Sequence, residues 1–144
     1  MRAPAGGGFR PPPSAYQAMI IEYGSVRAAA RELGVTKSAL DYWARGVRSP
    51  GPESLRTIQS SIRTMPREQY ARIAQGDAML RRIESREGAA GIKAARERYT
   101  KMPEQRAEWQ ATTQALVAQQ RANNADRARS GQRQIPISDW WSSP

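Results

Sequence analysis

The sequence predicts an all-α fold organised around a helix-turn-helix, and three observations carry that reading. Apolar residues recur at helical spacing in successive segments from residue 14 to residue 122. Stop and start signals fall between those segments: glycine at 24, 34 and 46, proline at 52, 66 and 103. Between Val26 and Ile58, two short helical patterns flank Gly34 and are followed by a basic, proline-bearing loop.

Residues 1–13, MRAPAGGGFRPPP, join glycines and consecutive prolines to Arg2 and Arg10. Such a segment buries too little to offset its ordering cost, so it reads as a flexible basic arm ending in a stiff polyproline stub. It is either inert or a minor-groove arm. The helical domain then spans residues 14–76. Ser14 is the expected cap of a first helix whose Tyr16, Met19, Ile20 and Tyr23 share core positions, and Gly24 ends it.

Ser25 caps the second helix, in which Ala29, Ala30 and Leu33 face inward while Arg27, Arg31 and Glu32 face out. Gly34 supplies the left-handed residue that a sharp turn needs, and Val35 plugs the turn. Thr36 caps the third helix. Leu40, Trp43 and Ala39 point inward there, leaving Lys37, Ser38, Asp41, Tyr42 and Arg45 outside. A helix presenting donors and charge in this way is what the major groove admits, because its base edges display hydrogen-bonding atoms.

The run Trp43-x-x-Gly46-x-Arg48-x-Pro50, then Glu53-x-Leu55-x-x-Ile58, resembles the Cro and lambda-repressor type of DNA-binding domain. Ala30, Gly34, Val35, Leu40 and Trp43 match its helix-turn-helix spacing, and the likeness covers roughly residues 14–76. It implies a lambda-repressor-like helical bundle that binds double-stranded DNA. It places Thr36, Lys37, Ser38, Asp41, Tyr42 and Arg45 nearest bases or backbone and Arg48 at a phosphate, the alternative for Arg48 being an ordinary solvated arginine; Arg27 at the start of the second helix is a further candidate DNA-binding residue. Where the family usually carries a glutamine or similar residue early in the second helix, this chain has Val26 and Arg27.

Pro52 opens a fourth helix with Leu55, Ile58 and Ile62 in a stripe, expected to close the core against Trp43. Met65-Pro66 opens another, carrying Tyr70, Ile73 and Ala74. After Gln75-Gly76 a helical extension, residues 77–122, continues with Met79, Leu80 and Ile83, and Gly88-Ala89-Ala90-Gly91 is a break. Ile92, Ala95 and Tyr99 follow, and Met102-Pro103 starts a last helix with Trp109, Thr113, Leu116 and Val117, fraying near Asn123-Asn124. Stripes this narrow suit pairing with another copy of the chain, a dimer or higher homo-oligomer. Residues 123–144 read as a linker and a flexible tail. Ile135, Ile137, Trp140 and Trp141 there either dock on a protein partner or neighbouring subunit, or fold back on the chain's own helices.

A net charge of +10 over 144 residues favours a polyanionic partner. With neither cysteine nor histidine, the chain offers no thiolate zinc site and lacks the commonest general base. Carboxylates are scattered singly and no phosphate-cradling glycine motif precedes a helix, so the sequence carries no enzyme signature, metal site or cofactor motif. No apolar run approaches a membrane span, which makes cytoplasmic residence the default. The expected function is DNA binding in transcriptional regulation, in a phage, plasmid or other mobile element. The alternative is a DNA-recognition and oligomerisation subunit, such as a phage small terminase or a plasmid replication or segregation adaptor.

Overall fold

The computed structural model describes residues 9–141 and is all-α. Its helices, in order, are α1 (Pro13–Tyr23), α2 (Val26–Leu33), α3 (Lys37–Ala44), α4 (Pro52–Thr64), α5 (Arg67–Lys101) and α6 (Pro103–Arg129). The central element is α1. Every residue from Ser14 to Glu22 is buried, so this helix has no solvent face of the usual amphipathic kind. It lies against α5 most extensively, and against α2, α3 and α6 as well.

Proline, not serine, begins α1: Pro13 occupies the first helical turn, and Ser14 turns its hydroxyl into the core to donate to Asp77 at 2.5 Å. The expected Ser14 cap is therefore replaced by a buried tether between α1 and α5. Gly24 closes α1 with φ 99°, as the sequence implied. The packing of α4 also departs from expectation. Its neighbour is α2, to which Ser61 Oγ donates at the Leu33 carbonyl, while the aromatic partner of Trp43 is Tyr16 on α1, 5.8 Å between ring centroids.

No boundary falls at Gly76, because α5 runs straight through it. A Cβ built there would sit 2.9 Å from the Trp109 ring of α6 and 3.4 Å from Ala18 Cβ of α1. The glycine thus lets three helices approach closely; it does not turn the chain. The division into residues 14–76 and residues 77–122 dissolves accordingly. The break expected at Gly88 is present: with φ 73° and ψ −166°, Gly88 kinks α5 and sends residues 89–101 off in a new direction. Those residues reach back to α1 and α3 through Arg96, and Tyr99 packs on Trp109, 4.8 Å between centroids.

The two ends of the described residues meet. Helix α6 does not fray at Asn123; it continues to Arg129, and Asn124 both donates to the Ile135 carbonyl at 2.8 Å and accepts from its N–H at 2.7 Å. Gln120 donates to the Pro136 carbonyl. Trp140 and Trp141 are 5 % and 6 % exposed, covered by Phe9 and Tyr70 in edge-on contacts with centroids 5.3 to 6.0 Å apart. The tail therefore folds back on its own helices instead of standing free as a docking peptide. Aromatic burial of this size outweighs the ordering cost of a short segment. The basic arm is corrected in the same way at its described end: Phe9 is buried and the Arg10 N–H donates to the Trp140 carbonyl at 2.9 Å. Arg2 lies outside the described residues.

Candidate nucleic-acid interface

Three residues join α2 to α3, and each end is capped locally. Ser25 Oγ accepts from the Ala28 N–H, and Gly34 takes φ 76° so that the Val35 N–H can reach back to the Ala30 carbonyl at 3.0 Å. Thr36 Oγ1 accepts from the Ala39 N–H at 3.1 Å, satisfying a first-turn donor. Buried Leu40, Trp43 and Ala44 fix the rotation of α3, while Lys37 and Ser38 are fully out in solvent.

The expected contact residues differ in how far they are already engaged. Lys37 and Ser38 make no side-chain hydrogen bond or ion pair among the described residues, so both are available to a ligand. Thr36 is exposed but its oxygen is already engaged as the cap. Asp41 is held at both carboxylate oxygens, by Arg45 Nε at 3.1 Å and by Arg96 Nη1 at 3.3 Å. That disposition removes Asp41 as a ready acceptor for cytosine and makes it the buckle between α3 and the second half of α5.

Tyr42 is half-buried and flanked by two guanidinium groups, Arg45 at 5.4 Å and Arg48 at 5.1 Å from the ring centroid. Stacking of this kind holds both cations beside the C-terminal end of α3, Arg45 paired with Asp41 and Arg48 without an ion-pair partner among the described residues. Arg27 is exposed in the first turn of α2. Exposed Val47 extends the surface past Arg45, at 58 % exposure.

Residues 89–101 were not assigned to this surface from sequence, yet Arg96 belongs to its edge. Besides Asp41 it donates to Gln17 Oε1 at 3.3 Å, and Gln17 in turn donates to the Ala44 carbonyl at 2.9 Å. In the sequence Arg96 lies off the Ile92, Ala95 and Tyr99 stripe, a position that points to no partner. The docking residues lie elsewhere. Trp140 Nε1 donates to Asp77 Oδ2 at 3.0 Å, Arg81 bridges Asp77 and Asp139, and Ser138 Oγ meets the Tyr70 hydroxyl at 2.7 Å. Ile137 is half-buried and Ile135 is 46 % exposed. Burial pushes the Asp77 carboxyl above its ordinary range, against the hydrogen bond from Ser14, the Arg81 charge and the Trp140 N–H, which all favour ionisation.

Among the described residues no three acidic side chains converge on a possible cation site, and no helix is long and apolar enough to cross a membrane. Comparison with known proteins gives no match to a family model, a curated protein or a solved structure.

Proposed function

We propose that the chain binds double-stranded DNA by laying α3 in the major groove, as a regulator of transcription. The observation that carries this reading is the free N-terminal half of α3: Lys37 and Ser38 stand in solvent on a helix whose opposite face is pinned by Leu40 and Trp43. A rigid helix with unengaged donors at its start suits base-edge reading, with lysine matched to guanine acceptors. Arg48 and Arg45, held on Tyr42, and Arg27 at the start of α2 serve as phosphate contacts. The +10 net charge supplies the long-range attraction.

Selection of duplexes from a random pool, repeated at two salt concentrations, tests this. Enrichment of a defined site, with affinity falling as salt rises, is the expected result; recovery of unselected sequences at both salts would overturn it. Pairing of two copies to reach two half-sites belongs to the same proposal, as does cytoplasmic residence. Mass in solution separates a dimeric regulator from a many-copy assembly subunit.

A further inference from the structure

A cleft of about 770 Å³ lies between the C-terminal end of α3 and the part of α5 that follows the Gly88 kink. Its apolar wall comes from Ala44, Val47, Ala89 and Ile92. Four cations face it, Arg45, Lys93, Arg96 and Lys101, against two carboxylates, Glu84 and Glu97. A volume of this size with an apolar wall and a few oriented polar groups suits a small organic ligand. Counting Asp41, which pairs with Arg45 and Arg96, four cations still face three carboxylates, an excess that favours an anion.

Arg96 gives the cleft its specific donor. Its side chain is 22 % exposed and its Nη1 is spent on Asp41 and Gln17, which fixes the guanidinium plane. Its Nε and Nη2 make no hydrogen bond among the described residues, so one edge of the fork is open to a bidentate carboxylate or sulfonate. We infer that this cleft binds a small organic anion with an apolar body through the open edge of Arg96, while Nη1 stays on Asp41. Occupation places a second negative charge next to Asp41, at the edge of the DNA-facing surface, where it repels phosphate. The binding site rests on the cleft alone; its effect on DNA rests on the function proposed above.

Fluorescence titration with anilinonaphthalenesulfonate, and with neutral N-phenylnaphthylamine as the uncharged counterpart, tests the site. Expected are saturable binding at one site per chain and a preference for the anion that Arg96→Gln reduces about tenfold, the worth of a charge-assisted hydrogen bond. Ala89→Trp, at an exposed position, fills the cleft without altering charge and abolishes binding of both probes while helix content by circular dichroism stays unchanged. An unchanged anion preference in Arg96→Gln, or undiminished binding in Ala89→Trp, overturns the site. With the sulfonate bound, affinity for a selected duplex falls about fivefold or more. Sulfonate binding without that fall overturns the coupling only, and a chain that takes the sulfonate but no DNA refutes the proposed function while leaving the site standing.

Discussion

At the scale of single residues, two buried tryptophans anchor different parts of the core. Trp43 packs on Tyr16 beneath α3, and Trp140 packs on Phe9 and Tyr70 while its N–H is tied to Asp77. Replacing either by Ala should cost about 3 to 5 kcal/mol, measured by denaturant unfolding. A loss of that size at Trp140 is what a tail folded on its own chain requires. The role of Trp43 was legible in its spacing from Leu40. The site of Trp140 was not, because nothing in the sequence ties ISDWW to an aspartate 63 positions earlier.

Asp77 also sets a pH dependence. Its carboxyl is raised above the ordinary 3.8, so in the folded chain it keeps a proton that the unfolded chain has already released, and stability falls as pH rises through that window. Glu68, held down by Arg121 and Gln114, and Asp139, held down by Arg81, act oppositely: their contributions vanish as pH falls below their ordinary values of 4.5 and 3.8. Asp77→Asn should therefore remove the falling component of the melting-temperature profile against pH while leaving the rising component set by Glu68 and Asp139.

At the scale of elements, glycine does two different jobs in one long helix. Gly88 bends α5, with its φ of 73° in the left-handed region, whereas Gly76 permits close crossing of α1, α5 and α6. Gly76→Ala gains about 1 kcal/mol in helix propensity, but its Cβ would meet the Trp109 ring, and overpacking of that kind costs about 1 to 3 kcal/mol. Net destabilisation in thermal unfolding is the expected outcome. The caps and turns at Gly24, Ser25, Gly34 and Thr36 were readable because each rests on neighbours within a few residues. The domain edge expected at Gly76 is absent because a crossing glycine and a boundary glycine differ only in what lies opposite, and Trp109 is 33 positions away.

For the whole molecule, the described residues are knitted through α1 and through the contact of Phe9 and Arg10 with Trp140 and Trp141, instead of being divided into a recognition domain and an extension. Helix α1 is buried by α5 and α6, and the Phe9–Trp140 contact closes the ends against each other. Residues 89–101 thereby become part of the α3 neighbourhood, so the surface proposed for DNA is braced by the opposite half of the sequence through Arg96. The exposed face of α3 could be read from periodicity. Its brace could not, since a solvent-facing arginine and one that grips Asp41 look alike in a helical stripe.

The central claim is that Lys37 and Ser38 read bases. Affinity of the full chain and of the Lys37→Ala/Ser38→Ala double variant, on a selected duplex and on a random duplex at the same salt, measures it directly. The variant should lose about 1 to 3 kcal/mol on the selected duplex and much less on the random one. Equal affinities of the two proteins on both duplexes would contradict it.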